Sequence, residues 1–98
     1  MEVIYHRLLQ KDLRAALAYY DAEGGEKLGD RFFQDAEDTA ARVIANPRGF
    51  HYIEEGYRRR ASLRSFPYHL IYEERKQLVR FLVLRHDKRH PGFGLGRR

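Results

Sequence analysis

Apolar residues in the first half of the chain recur at helical spacing in two successive stretches. The first stretch has the i, i+3, i+4, i+7 spacing that puts side chains on one face of a helix, at Leu13, Ala16, Leu17 and Tyr20. Asp12 stands where a side chain would cap the start of this helix, and Gly24–Gly25 predicts its end.

A second apolar stripe follows almost at once. Its members are Leu28, Phe32, Ala36, Ala40, Val43 and Ile44. Asn46–Pro47 predicts the end of this second helix, because proline disfavours the helical conformation in the residue before it and cannot continue the hydrogen-bond ladder. Since the link between the two stretches is so short, the helices are expected to form an antiparallel hairpin.

The remaining segments have the character of strands. Four are predicted, at Glu2–Leu8, Tyr57–Arg64, Tyr68–Glu74 and Gln77–His86. Arg48–Gly56 is predicted to be a loop, and residues 87–98, rich in glycine and arginine, an irregular and mobile tail. The order β-α-α-β-β-β predicts a single α+β domain over residues 1–98, in which the helical hairpin packs on one face of a small, mainly antiparallel sheet.

The last strand is apolar on both sides. Strict alternation would place Val79, Phe81 and Val83 on one face of the sheet. Leu78, Leu82 and Leu84 would then lie on the other face. A strand of this kind is central in its sheet, so the two helices cover one face and the other must meet the rest of the chain or a partner.

Composition places limits on the class of protein. The 98 residues are 43% hydrophobic and 13% aromatic, which is typical of one folded domain with a modest core. The absence of cysteine excludes a disulfide scaffold and thiolate metal sites. No signal peptide is visible at the N-terminus and no apolar run approaches the roughly 20 residues of a membrane span. We therefore expect a soluble, cytoplasmic protein that does not bind a membrane.

Charge is divided unevenly along the chain. The net charge is +5, but residues 1–56 carry seven Lys and Arg against eleven Asp and Glu, whereas residues 57–98 carry twelve against three. This split predicts a mildly acidic layer and a strongly basic layer in one domain. The basic layer favours an anionic partner, a nucleic acid or an acidic protein segment, unless its arginines only solvate the surface.

Common catalytic constellations are missing. No two of the five histidines have the i, i+4 spacing of a metal site within a helix, and the histidines around Lys88 and Arg89 lie among cations, so no metal is expected. The glycines of residues 92–96 are not followed by a helix that would hold a phosphate. Ser62 and Ser65 are the only serines, and neither lies in a nucleophile elbow. No cofactor is predicted.

The basic residues of the strands are the best candidates for chemistry. Arg58 and Arg60 share one face of a predicted strand, Arg64 ends that strand, and Arg85 and His86 end the last one. If the strands are neighbours, guanidinium groups would converge with an imidazole that can act as a general base, a set able to cleave RNA without metal. The alternative is that these arginines bind acidic residues of the helices or solvate the sheet.

Several motifs in order along the chain resemble toxins of the RelE/ParE superfamily, components of type II toxin–antitoxin systems. In the helical half they are Asp12-Leu13, Tyr19-Tyr20, Leu28-Gly29-Asp30-Arg31-Phe32 and Ile44-Ala45-Asn46-Pro47. In the second half they are Arg59-Arg60, Leu63, Phe66-Pro67-Tyr68, Ile71-Tyr72-Glu73, Val83-Leu84, His86, Arg89 and Pro91. The resemblance covers nearly the whole chain and implies a toxin that a cognate antitoxin binds and neutralises.

The superfamily divides by target. Members like RelE cut messenger RNA on the ribosome, and by position Arg60, Arg64, His86 and Arg89 would match cationic positions of that branch. With Arg85 they form the set on which an endonuclease hypothesis rests. Ser62 stands where a lysine is common there, His69 where an arginine is common, and Phe93 where a tyrosine is expected. The His-x-x-Arg-x-Pro ending of residues 86–91 is closer to the ParE (plasmid stabilisation) branch, which inhibits DNA gyrase.

Three hypotheses follow. The first is a toxin that inhibits gyrase by binding, and the second is a metal-independent mRNA endonuclease (an mRNA interferase) that acts with the ribosome. The third is a basic nucleic-acid-binding domain without toxicity. The residues expected to contact a partner are Arg58, Arg60, Tyr72, Phe81 and Val83.

Overall fold

The computed structural model describes all residues, 1–98, and contains two helices and one four-stranded sheet. The elements are β1 (Glu2–Tyr5), α1 (Leu9–Gly24), α2 (Glu26–Ala45), β2 (Arg58–Ser62), β3 (Tyr68–Arg75) and β4 (Leu78–His86). The predicted order β-α-α-β-β-β is confirmed. β1 is shorter than predicted, because the backbone turns at His6, whose carbonyl accepts the N–H of Leu9 as α1 begins.

The sheet has the strand order β1-β4-β3-β2. β2 pairs with β3 and β3 with β4 in antiparallel fashion, whereas β1 lies parallel to β4 at the edge. At the opposite edge, Tyr52 forms a bridge with Arg59, and the backbones of residues 51–53 bond to β2. The predicted central position of the last strand is therefore confirmed, and only the β1 edge lies open.

A β-bulge in β4 changes which residues share a face. Ile71 pairs with Val83 but Tyr72 pairs with Phe81, so Leu82 is an additional residue on β4. The expectation of strict alternation is wrong beyond this point: Val83 lies with Leu82 on one side of the sheet, and Leu84 joins Val79 and Phe81 on the helix side. An extra residue shifts the phase of a two-residue period by one.

The main core lies between the helices and the sheet. Aromatic rings form its centre: Tyr20 of α1 stacks on Phe32 of α2 with a centroid distance of 5.0 Å, and Phe66 and Tyr68 contact both rings. The helices meet tightly because Gly25, their only linking residue, has a φ of +80°, which favours glycine. Neither helix is both long enough and apolar enough to cross a membrane.

The second face of the sheet is covered by the chain itself. Ile71, Leu82 and Val83 are buried there beneath Ile53, Phe93 and Leu95. The tail, residues 87–98, forms turns without regular structure, as predicted. It is packed and hydrogen-bonded over the sheet, and its mobility stays a prediction.

Candidate functional site

An apolar groove opens on the helix side of the sheet. It has a volume of about 360 Å³, and 11 of its 12 lining residues are hydrophobic. Its walls come from β1, α1 and α2, with Phe81, Leu70 and Leu84 of the sheet as its floor. Tyr5 and Phe33 at its rim are 57% and 38% exposed, so they extend the apolar lining of the groove to the protein surface.

On the opposite face, two of the predicted cationic residues meet around a histidine. Asp87 accepts a hydrogen bond from His69 Nδ1 at 2.8 Å and one from Arg60 Nη2 at 3.2 Å. Arg85 Nε donates to the other ring nitrogen, His69 Nε2, at 3.0 Å. Burial lowers the pKa of His69, so its ring is neutral, with its proton on Nδ1.

Arg85 is held by its own chain. Besides His69, its Nη1 donates to the carbonyl oxygens of Pro91 and Phe93 in the tail. Burial also lowers the pKa of this guanidinium. Arg85 therefore fastens the tail to the sheet through its Nε and Nη1 groups.

The other predicted cationic residues do not join this network. His86 lies on the helix side, where its ring packs edge-on against Tyr68 at 5.0 Å. Its Nδ1 accepts the backbone N–H of Lys88. Arg64 is exposed in the turn after β2, and Arg89 is exposed with its guanidinium 3.9 Å from the centre of the Phe93 ring.

The five residues predicted to contact a partner fall into two groups. Tyr72, Phe81 and Val83 have no exposed surface, and they do not share a face, because the bulge places Val83 on the side opposite Phe81. Burial raises the pKa of Tyr72 to about 12, and its hydroxyl donates to the Pro47 carbonyl oxygen. The side chain of Arg58 is 8% exposed and that of Arg60 40% exposed, so only Arg60 presents its charge openly.

A buried ion pair joins the tail to α1. Arg97 binds Asp12 with two hydrogen bonds, of 2.6 and 2.9 Å. Both side chains also bond to the backbone of β4, in the part of that strand that β1 does not reach. Asp12 accepts the N–H of Leu84, and Arg97 donates to the carbonyl of Leu82. Asp12 was expected to cap α1, and that expectation is wrong, because no side chain caps this helix.

Two features of the site were missed by the sequence reasoning. The His69–Asp87 contact was detectable in principle, since His69 is opposite Arg85 in the antiparallel register and Asp87 is the only acidic residue after Glu74. The Asp12–Arg97 pair joins residues 85 positions apart and leaves no local pattern in the sequence. No cluster of three or more histidine, aspartate or glutamate side chains lies close enough to hold a metal ion.

Comparisons with known proteins identify a family and a similar fold. A family model described as "ParE toxin of type II toxin-antitoxin system, parDE" matches residues 3–91. Among solved structures, the chain resembles one from the "Chromosomal ParDE TA system from P. aeruginosa" with a TM-score of 0.77 and 18% identity, over 88% of this chain and 95% of that one. A search among curated proteins found no significant match.

Proposed function

The chain belongs to the family of ParE toxins of type II toxin–antitoxin systems, and from this premise we propose that it arrests growth by inhibiting DNA gyrase and that a cognate antitoxin neutralises it. The observation that carries the proposal is the match to the family over residues 3–91. Two features of the site support it, one for each half of the proposal.

The site favours binding over chemistry. A metal-free nuclease needs a base with a free lone pair next to cations that can reach a phosphate. His69 Nε2 is occupied by Arg85, and His86 Nδ1 by the backbone of Lys88. Phe93 offers no hydroxyl, and His86 lies on the face opposite Arg85. A toxin that acts by occupying a surface of its target needs none of these groups to be free.

The apolar groove is the proposed antitoxin site. The second face of the sheet, where a partner segment was also considered, is filled by the tail, which leaves the groove as the large exposed apolar surface. Its shape, between two helices and an open strand edge, suits one amphipathic helix of the antitoxin. Phe81 would then contribute as the floor of the groove, as the sequence suggested, without itself being exposed.

A supercoiling assay tests the first half of the proposal. Purified chain is expected to inhibit supercoiling by DNA gyrase at micromolar concentration, and the inhibition is expected to disappear when equimolar antitoxin is added. Unchanged supercoiling with protein that still arrests growth in cells would refute gyrase as the target.

Ala41 tests the proposed antitoxin site. It lines the groove and is exposed, so Ala41→Glu introduces a charge there without disturbing the core. We expect antitoxin binding to weaken by about a hundredfold, because a buried, unpaired carboxylate costs several kcal/mol, while toxicity persists. Ala18→Glu, on an exposed position of α1 outside the groove, is the matched control. Equal weakening by both variants would place the antitoxin elsewhere.

One observation favours the nuclease as a second candidate. Arg60, Arg85 and His51 line a recess of about 670 Å³ on the tail side of the sheet, although Glu54 and Glu55 at its rim would repel phosphate. Controlled expression in a bacterium separates the candidates. Filamentation with continuing translation supports gyrase, whereas a rapid fall in translation supports cleavage of mRNA.

A further inference from the structure

A second basic surface lies on the tail side of the sheet, apart from the predicted cationic set. Five arginines, with the rim residue Tyr57, line a recess of about 660 Å³ that we call the arginine pocket. They are Arg58, Arg75, Arg80, Arg97 and Arg98. Its wall is the end of the tail, held there by the hydrogen bond of 2.7 Å from Arg58 Nη1 to the Leu95 carbonyl.

The arginine pocket keeps a surplus of positive charge. Arg97 is neutralised by Asp12 and Arg58 lies 3.5 Å from Glu55. Arg75 and Arg80 share a single carboxylate, Glu73, at 3.6 and 3.3 Å. The exposed Arg98 forms no ion pair. Five guanidinium groups therefore face three carboxylates. Such a surplus favours an anion with several charges, and the planar fork of arginine suits phosphate oxygens.

The aromatic ring of Tyr57 lies at the rim of the arginine pocket. Tyr57 is 50% exposed, and the guanidinium of Arg58 lies 4.9 Å from its centre, which fixes the ring beside the pocket. A ring in this position can stack an unpaired base while the arginines bind the adjoining phosphates. A peptide would need apolar contacts, and Tyr57 and Leu95 are the only hydrophobic residues of the pocket.

We propose that the arginine pocket binds single-stranded nucleic acid, with Arg75, Arg80 and Arg98 on the phosphates and Tyr57 stacked on a base. This site is on the face of the sheet opposite the groove, so it does not depend on antitoxin binding. It goes beyond the proposed function, and a failure to inhibit gyrase would leave it standing.

Fluorescence anisotropy with labelled oligonucleotides tests the site. The probes are a 12-nucleotide oligothymidylate, a 12-nucleotide oligouridylate and a 12-base-pair duplex, each titrated with the full chain at several salt concentrations. The variant Arg75→Gln/Arg98→Gln removes two exposed cations: the side chain of Arg75 is 72% exposed and makes one ion pair of 3.6 Å with Glu73, and Arg98 is exposed and forms none. Arg14→Gln/Arg31→Gln removes two exposed cations from the helices and is the matched control.

We expect the pocket variant to bind single strands at least about tenfold more weakly, and the slope of log K against log salt to fall by about 1.4, since each phosphate contact contributes about 0.7. Tyr57→Leu is expected to weaken single-strand binding by roughly tenfold and to leave duplex binding unchanged. The ratio for oligothymidylate and oligouridylate distinguishes DNA from RNA as the natural source.

Three outcomes would overturn the proposal. Equal weakening by the control variant would show attraction by net charge alone. Tighter binding of a labelled oligoglutamate peptide than of either single strand would show an acidic protein as the partner. Single-strand binding that neither the pocket variant nor Tyr57→Leu weakens would place the nucleic acid elsewhere, with thermal unfolding by circular dichroism showing that the variants are folded.

Discussion

Arg85 is of a residue type that suits phosphate binding, but in this fold it binds its own chain. All its hydrogen bonds are to its own chain, at His69, Pro91 and Phe93. In sequence it is one cation among many at the end of a strand. The sequence could not show that the tail folds back to bind Arg85, because its partners there are backbone carbonyls, which every residue has.

His69 makes stability depend on pH. Because burial lowers its pKa, the folded chain binds this proton less readily than the unfolded chain, whose histidines titrate near 6.5. As the pH falls below about 6.5, proton uptake by the unfolded chain is therefore expected to lower the free energy of unfolding, by at most about 1.4 kcal/mol per pH unit for one histidine. The pKa of the buried His6 is lowered too, chiefly by burial, so it adds a change of the same sign.

Urea unfolding between pH 7.5 and 5.5 measures this effect. His69→Gln is expected to be less stable at pH 7.5 but to lose less stability on acidification than the original chain. His51→Gln, at an exposed position, is the control and should keep the full dependence. If the free energy of unfolding of His69→Gln depended on pH as steeply as that of the original chain, another group would control the pH dependence.

Arg97 is expected to contribute more to stability than any exposed arginine. Its pair with Asp12 is buried, with side chains 10% and 6% exposed, so Arg97→Ala leaves a carboxylate without its partner. We expect a loss of about 3 kcal/mol in the free energy of unfolding. Arg48→Ala, whose side chain is 77% exposed in its contact with Glu74, should cost less than about 1 kcal/mol. Equal losses in chemical denaturation would contradict this ranking.

At the level of elements, the sequence predicted the features that depend on residue spacing within a single segment. The two helices, their glycine link and the order of the strands follow from spacings within single segments, and all are confirmed. The bulge at Leu82 is set by pairing with β3 and not by the sequence of β4 alone, so the assignment of Val83 and Leu84 to faces was wrong. The packing of the tail escaped prediction for a similar reason, since Phe93 and Leu95 look isolated among glycines.

Gly94 allows the tail to pack closely against the sheet. Its φ is +81°, and a Cβ at this position would lie 2.5 Å from Cγ2 of the buried Val83. Gly94→Ala is therefore expected to cost roughly 2 kcal/mol, from backbone strain and overpacking together. Gly96→Ala has open space around it and should change stability by less than about 0.5 kcal/mol.

Hydrogen exchange of the tail amides, read beside thermal unfolding, measures this difference. Loss of protection in the tail of Gly94→Ala, with the helices still protected, would show that the tail detaches as a unit. If the two alanine variants behave alike, the close approach to Val83 does not govern the packing of the tail.

In the whole molecule, the sheet separates two surfaces of different chemistry. The helix side carries the apolar groove, and the tail side carries the basic residues. The division of charge along the sequence predicted an acidic and a basic layer; the tail side carries Arg58, Arg75 and Arg80, but also Glu54 and Glu55 from the acidic half. An antitoxin helix in the groove would thus leave the basic side open.

A ligand that binds only the folded state stabilises it, by an amount that grows with the logarithm of the ligand concentration above the dissociation constant. At a hundred times its dissociation constant, the antitoxin should stabilise the chain by about 2.7 kcal/mol. Differential scanning fluorimetry at increasing antitoxin concentration measures the shift in melting temperature. At the same antitoxin concentration, Ala41→Glu should reduce the stabilisation to about 0.4 kcal/mol, and Ala18→Glu should keep it. An original chain that gains no stability would argue against a partner in the groove.

The two ends of the chain contact each other in the folded protein, and this constrains the order in which its parts can fold. The helical hairpin and the β3–β4 hairpin need only local contacts, whereas β1 must find β4 and His6 must find the carbonyl of Arg98, 92 positions away. Closing such long loops is entropically costly and slow. We therefore expect both hairpins to form before the two ends of the chain meet. The floor of the groove requires Leu84, so an antitoxin that binds in the groove, as we propose, would find a complete site only after most of the chain has been synthesised.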